Sequence, residues 1–499
     1  MRSNAIKAMG HLGIGSALSK VISLGTTLIL ARILSPADYG LMAIAMIIIN
    51  FIGFFNEVGI GAAIVQKPEL SNSEVNGCFA IALTISAFLS LLTAGSSHFI
   101  ASFYANPQLE KMITVLALAF IFGAFSTIPL AFLRREMQFK AIAGVNFLAV
   151  FVQSLASLGF AYAGFGVWAL VYGFMVASVV NCIGFFIASP WRPKGAYGIR
   201  EASALVIYGL HITSTRIFWY LYTNADKAII GKLLGTKALG IYDMAFSLAT
   251  LPSSQVTTLV VNVATPIFSK LQTNLDELNS VVLKLTRGLA YITYPALIGM
   301  LVCSRELIMV VLGPSWSEVL LPFSALCLMG LIKSIDPLLS QVLISTGHAK
   351  KLSYYTAMCS IVMLLGVVIG ATLDGLRGVS IVWAVAYPLL SMKLLYDVCK
   401  ITGLLRVAYY LNLWPVLKGS LVMGAAVLLV RELGLAMTSN WLLILSTEVA
   451  TGVLTYALYI IYVDQQALTE IRQTIIDLGI PEQRLDRWPF NRAKLQKMP

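Results

Sequence analysis

Charged side chains are scarce in this sequence: they make up 12% of its 499 residues, against 58% that are hydrophobic. A soluble domain carries about 25% charged and about 45–50% apolar residues, so the polar material for a water-facing surface is missing. Only four histidines occur, and the six cysteines stand singly within or at the ends of apolar stretches, with no CxxC pair and no cysteine–histidine cluster. That spacing excludes a disulfide framework and a structural zinc site. Catalytic signatures are missing too. There is no GxxxxGK[ST] phosphate loop, no HExxH, no GxSxG and no carboxylate pair outside the apolar stretches, which excludes ATP hydrolysis and the commoner hydrolase chemistries. No cofactor or metal is expected, and the chain is not expected to be an enzyme. The net charge of +12 sits between apolar stretches rather than among interleaved aromatics on a polar surface, so nucleic acid is not an expected partner.

What is present is apolar length. Mean hydropathy is +0.83, and the apolar residues come in blocks of roughly 20, the span of an α-helix across a hydrocarbon core. About fourteen such helices are expected, roughly at 12–32, 39–62, 75–99, 111–133, 142–162, 167–188, 203–223, 241–264, 286–311, 317–344, 353–372, 377–400, 412–431 and 441–463. Turn-forming residues separate them, among them Ser35-Pro36-Ala37-Asp38, Asn106-Pro107, Gly313-Pro314 and Thr346-Gly347-His348. Arg2 and Lys7 precede the first stretch as in a signal peptide, but that stretch contains Lys20 and lacks a small-residue cleavage site, so it reads as a retained helix. With the N-terminus inside, 23 lysines and arginines fall on the cytoplasmic side and 8 on the other. The positive-inside rule therefore predicts both termini in the cytoplasm.

The sequence also echoes itself. At an offset of 200, residues 31–41 fall on 231–241, matching Leu34 with Leu234, Gly40 with Gly240 and Arg32 with Lys232; His11 falls on His211. Gly164-Phe165-Gly166-Val167-Trp168 resembles Leu376-Arg377-Gly378-Val379-Ser380, and Ile128-Pro129-Leu130 resembles Asp336-Pro337-Leu338. The expected organisation is an N-lobe of six helices (1–190), a cytoplasmic linker (191–202), a C-lobe of six helices (203–402), a helix pair (403–463) and a cytoplasmic tail (464–499). Six is even, so the repeat is parallel, with its axis along the membrane normal and a cavity between the lobes.

Charge inside a span is costly and marks function. Lys20 lies mid-way along helix 1 and Arg216 mid-way along helix 7, equivalent helices of the repeat. Two cations there suit an anionic phosphate or pyrophosphate, with arginine able to fork onto phosphate oxygens; the alternative is that each snorkels to an interface. Glu57, Asp226 and Asp336 are the carboxylates in or near spans and the candidates for proton or sodium coupling. Lys333, one turn before Asp336, is expected to pair with it.

The run Ala31-Arg32-Ile33-Leu34-Ser35-Pro36-Ala37-Asp38-Tyr39-Gly40 resembles the signature after the first helix of bacterial polysaccharide transporters, in the multidrug/oligosaccharidyl-lipid/polysaccharide flippase superfamily. Gly59-Ile60-Gly61-Ala62-Ala63-Ile64-Val65-Gln66 and Gly164 to Leu170 are similar to later motifs of that family, closest to its Wzx-like, colanic-acid-exporter branch. The resemblance implies an inner-membrane protein that flips an undecaprenyl-pyrophosphate-linked oligosaccharide to the periplasmic leaflet by alternating access, for exopolysaccharide, capsule or lipopolysaccharide synthesis. It also implies basic residues lining a cavity on helices 1 and 7, a pattern that Lys20 and Arg216 match by helix rather than by strict motif. Membrane lipid, a polysaccharide polymerase and glycosyltransferases of the same pathway are the implied partners. The competing readings are a multidrug antiporter of the same superfamily and an integral-membrane polymerase or glycosyltransferase. Topology mapping is expected to find fourteen spans with both termini inside; twelve would favour the antiporter.

Overall fold

The computed structural model describes residues 2–57, 59–67, 69–199, 220, 223–437 and 440–464, with backbone alone at 2–14, 57, 62, 255 and 435–437. Most of the predicted helix at 203–223 and the tail from 465 lie outside the described residues. Those that are described form helices and no strands, as a bilayer requires when it offers backbone groups no water. The first elements are α1 (Arg2–Ile33), α2 (Pro36–Glu57), the short α3 (Ile60–Gln66), α4 (Asn72–Phe103), α5 (Gln108–Ala117), α6 (Ala119–Arg135), α7 (Phe139–Tyr162) and α8 (Trp168–Ala188), followed by α9 (223–233). There follow α10 (Gly235–Lys270), α11 (Leu275–Val302), α12 (Ser304–Val311), α13 (Leu320–Lys333), α14 (Asp336–Ser345), α15 (Ala349–Thr402), α16 (Arg406–Met437) and α17 (Trp441–Tyr462). Among the described residues, eleven segments are long and apolar enough to cross a membrane, and α10 adds a pair, Gly235–Ser254 and Val256–Lys270, bent by 42°.

One of the eleven is two helices. At 1.5 Å per residue the 54 residues of α15 would reach about 80 Å, far beyond a core of about 30 Å. Its backbone leaves helical geometry at Asp374 and at Gly375, whose φ is +55°, a value that favours glycine. The arms on either side touch backbone to backbone at Gly370 and Gly378. These arms are the helices expected at 353–372 and 377–400.

Two compact units divide the chain. One comprises Met1–Met244, Leu312–Trp316 and Leu364–Val379; the other comprises Ala245–Val311, Ser317–Met363 and Ser380–Pro499.

In the first unit the motif around Ser35 becomes a piece of machinery. Ser35 caps α2: its backbone N–H and hydroxyl donate to Asp38 Oδ2 (2.9 and 2.7 Å), and the Asp38 N–H donates back to Ser35 Oγ (3.3 Å). Pro36 takes the first helical position, where its missing N–H costs nothing. The Tyr39 hydroxyl donates to the Thr27 carbonyl (2.9 Å), and the Tyr39 ring meets buried Trp316 edge-on at 5.3 Å. Trp316 Nε1 in turn donates to the Ala31 carbonyl (2.7 Å). The second copy of the motif turns differently, with Gly235 at φ +82° where the first has Ser35.

The two copies meet. A Cβ on Gly40 would be driven into the Thr236 carbonyl, and a Cβ on Gly240 into the Pro36 carbonyl. Both pairs are reciprocal at the offset of 200, as an isologous contact about a twofold requires. Such backbone approach is the way small residues pack helices in a bilayer.

In the second unit, α16 and α17 pack through small residues. Gly419 faces Tyr459, Gly424 faces Ile298, and Gly452 faces Val427. The expected helix at 286–311 is corrected here: α11 begins at Leu275, because Leu278 and Val282 are buried and give its first turns an apolar face. Arg287, at the edge of the expected helix, therefore lies about three turns inside α11. Its side chain is 4% exposed and pairs with Asp464 (3.0 Å), itself 5% exposed. Tyr291 completes the set, donating to Asp464 (2.7 Å) and accepting from Arg287 Nε (2.9 Å).

Removing one member of a buried, satisfied pair strands the other charge at a cost of about 3–5 kcal/mol. Asp464→Ala is expected to lower the thermal unfolding midpoint of the purified protein markedly. The double variant Arg287→Met, Asp464→Leu is expected to recover most of the loss.

Candidate functional site

A cavity of about 580 Å³ opens within the first unit, lined by the end of α2, by α3, α6 and α8. Its wall is unusually polar for a membrane interior, with Asn56, Gln66, Ser126, Thr127, Ser178 and Asn181 around it and exposed Arg134 at α6's end. Asn56 is held rigidly: its amide donates to the Phe120 carbonyl (3.1 Å), and buried Ser86 donates to its Oδ1. Glycine at 123 leaves room for that carboxamide, since a Cβ there would lie 2.9 Å from Asn56 Nδ2. The hydroxyls of Ser126, Thr127 and Ser178 donate to carbonyls one turn back on their own helices, which turns their lone pairs to the cavity as acceptors. Asn181 Oδ1 is buried with no hydrogen-bond partner among the described residues. An unsatisfied buried acceptor calls for a donor, and a hydroxyl-rich ligand brings donors. The floor is fixed by Arg135, which donates to the carbonyls of Ile64 and Lys67 (2.8 Å each) and so caps α3.

A second, smaller cavity of about 290 Å³ lies in the second unit. Here a helix is broken. Continuous helix was expected over 317–344, but α13 stops at Lys333 and α14 starts at Asp336, with Pro337 in its first turn. Proline cannot donate to the ladder and crowds the carbonyl one turn back, so hydrogen bonds are lost here while Ser334 and Ile335 keep right-handed helical angles. The carbonyl freed at Ser334 is satisfied by the Thr257 hydroxyl (2.8 Å). Asp336 thus sits at a helix N-terminus, where a negative charge is favoured, and its carboxylate accepts from Ser391 (2.6 Å) and Tyr387 (3.0 Å). Broken helices of this kind hold the ion and substrate sites of many transporters. The Lys333 ammonium acts on Asp336 by its charge and lies 4.8 Å from the Phe246 ring centre and 5.1 Å from that of Trp383.

The two cavities use corresponding positions. Gly123, Thr127 and Ala131 line the first, while Leu331, Ile335 and Leu339 line the second, each 208 residues on. That offset superposes Ile128-Pro129-Leu130 on Asp336-Pro337-Leu338. The chemistry has diverged: the first wall is amide and hydroxyl, the second is apolar and aromatic around one carboxylate.

Of the residues singled out from sequence, Asp336 stands at the broken helix. Asp226 accepts from Tyr242 (2.6 Å) beside the Lys227–Asp243 ion pair (2.6 Å), a compact cluster on α9 and α10. Lys20 is exposed on α1. Arg216 and the Glu57 side chain lie outside the described residues. Sequence reasoning missed Asn56, Ser126, Thr127 and Asn181 because each is uncharged. Their signal was present as amides and adjacent hydroxyls inside otherwise apolar stretches.

Residues 29–321 match the model of a family described as polysaccharide biosynthesis protein. The lipopolysaccharide biosynthesis protein WzxC of Escherichia coli (strain K12) is 24% identical over 372 residues, covering 73% of this chain and 76% of that one. The teichuronic acid biosynthesis protein TuaB of Bacillus subtilis (strain 168) is 23% identical over 338 residues, covering 66% and 68%. Among solved structures, the lipid II flippase MurJ in an inward closed conformation has a TM-score of 0.73 at 14% identity, covering 90% of this chain and 97% of that one. An inward-facing multidrug transporter of the MATE family has a TM-score of 0.61 at 13% identity, covering 79% and 99%. These likenesses identify the fold.

Asp336→Ala leaves two hydroxyls without their acceptor, a loss of about 1–3 kcal/mol. A lowered unfolding midpoint is expected for that variant and a smaller loss for Asp336→Asn, whose Oδ1 still accepts from one hydroxyl while its Nδ2 donates to the other.

Proposed function

The chain belongs to the polysaccharide biosynthesis protein family, and on that premise we propose that it is a flippase for an undecaprenyl-pyrophosphate-linked oligosaccharide. It carries the repeat unit across the bacterial inner membrane for exopolysaccharide, capsule or lipopolysaccharide synthesis. The family match carries this reading, and it agrees with the relatives' names and the flippase fold. The physical need is plain. A single charge transferred to hydrocarbon costs of order 20 kcal/mol in the idealised limit, so a sugar pyrophosphate crosses only along a polar path.

The amide- and hydroxyl-lined cavity of the first unit has the volume of a small-molecule site and the chemistry to take up sugar hydroxyls, with Arg134 near an anionic group. Lys20 and Arg216 are the cations for the pyrophosphate on the first and seventh helices. Asp336, Asp226 and Glu57 are the carboxylates for ion coupling. We take the membrane-spanning total to be fourteen, counting the two arms of α15 separately and adding the helix at 203–223. Residues 1–190 and 203–402 form the two six-helix halves that move in alternating access, joined by 191–202 and followed by the pair at 403–463. The reciprocal Gly40–Gly240 contact supports that repeat. The charge bias supports both termini in the cytoplasm, with 464–499 as tail. The substrate is moved, not chemically altered, and is supplied and used by glycosyltransferases and a polymerase of the same pathway.

Arg216→Ala is expected to abolish surface polysaccharide while leaving membrane expression intact, and complete lipid-linked units are expected to accumulate on the cytoplasmic side. Normal polymer from that variant would remove Arg216 from the site. Single units accumulating on the outer side in cells lacking the protein would point to a polymerase instead.

A further inference from the structure

The second unit buries two sets of charged side chains, at opposite ends of α11 and α17. One is balanced: Arg287, Asp464 and Tyr291 match one cation to one anion, and Asp464 receives hydrogen bonds on both oxygens. The other is not. Glu306, one turn into α12, and Glu448, two turns into α17, are both 0% exposed. A single cation serves them, Arg431 of α16, whose Nε lies 3.0 Å from Glu306 Oε1. The charged and titratable groups acting on Glu448 are Glu306 from α12, Arg431 from α16 and the Cys303 thiol at the end of α11. Neither the Glu448 oxygens, the Glu306 oxygens nor Arg431 Nε makes a hydrogen bond of good geometry among the described residues, so the three groups are related by charge and distance, with Arg431 nearest Glu306.

Charge arithmetic then dictates the state. Arginine stays protonated under all relevant conditions. One carboxylate balances it, and the ion pair with Glu306 takes that role. A second carboxylate in the same apolar pocket has no counterion of its own, and a group so placed neutralises instead of remaining charged. We infer that Glu448 is a proton-binding site: a carboxylic acid held beside the Glu306–Arg431 pair, exchanging its proton with the outer aqueous phase. The route outward is through Arg431, whose side chain is 20% exposed. It stands near the end of α16, and the positive-inside count assigns this end of the helices to the outer face. Loss of the proton sets two carboxylates against one guanidinium and loosens α17 from α12. That this proton serves export rests on the flippase reading; its presence does not.

The test uses the full chain, purified and reconstituted in nanodiscs. Infrared difference spectroscopy is expected to find a protonated carboxylic-acid carbonyl band at neutral pH that Glu448→Gln removes and that titrates away as pH rises. The unfolding midpoint of the wild type is expected to fall as pH rises above the ordinary glutamate range and to level off where the band disappears, because over that span the folded state holds a proton that the unfolded chain releases. Glu448→Gln is the neutral isostere of the proposed state, so it must fold, and its midpoint must lose that pH dependence. Failure of the variant to reach the membrane overturns the inference, as does a band or pH slope that the variant leaves unchanged. A midpoint that follows sodium at constant pH makes the site a metal-cation site and overturns it equally. None of these readouts requires export, so a failed flippase assignment and a failed proton site are told apart.

Discussion

At Gly40 and at Gly240 a backbone carbonyl occupies the space that the Cβ of any other residue would need. That contact sets the distance between two helices at its minimum, and much of the first unit is arranged around it. The Ser35–Asp38 capping box starts α2 at the right residue, and Tyr39 ties it to α1 through the Thr27 carbonyl. Trp316 closes the corner from a distant part of the chain by bonding the Ala31 carbonyl. A motif that reads as a string of conventional turn residues is thus a joint, in which the glycine is the part with no substitute.

The other constraint is the cost of charge. A bilayer protein can bury a charge only with a partner, and this one does so by three routes. Arg287 and Asp464 neutralise each other within a closed ring of hydrogen bonds. Asp336 is held by two hydroxyls at a helix N-terminus, with Lys333 one turn before it. Glu306 and Glu448 share one arginine, and the imbalance is met by a proton. Stability and function part along this line: the balanced set holds the last span to the core, while the unbalanced one is free to respond to the solution outside.

The two cavities place different chemistry at positions of equal spacing. Both sit at positions 208 residues apart, and both lie against a proline-bearing helix. In α6, Pro129 is carried inside a continuous helix; at Asp336-Pro337 the helix breaks and a carboxylate takes the first turn. One cavity became amide- and hydroxyl-lined and the other aromatic, so equivalent space now serves different chemistry.

Legible in sequence were the apolar lengths, the charge asymmetry across the membrane, the repeat and the motif at Ser35. Each is a one-dimensional signal, because a bilayer forces each span to satisfy its own backbone and leaves hydropathy to mark where spans lie. The turn at Asp374-Gly375 follows from length alone. The meeting of polar groups inside the membrane was not legible. Arg287 and Asp464 are 177 residues apart, and three spans lie in sequence between Glu306 and Arg431. Which face each helix turns to its neighbours decides such contacts, and that rotation is set by packing at residues such as Gly419, Gly424 and Gly452. The sequence by itself determined that the chain is a multi-pass membrane protein built of apolar helices. Only the tertiary structure decided which buried charges are balanced, because a counterion is a matter of distance in space.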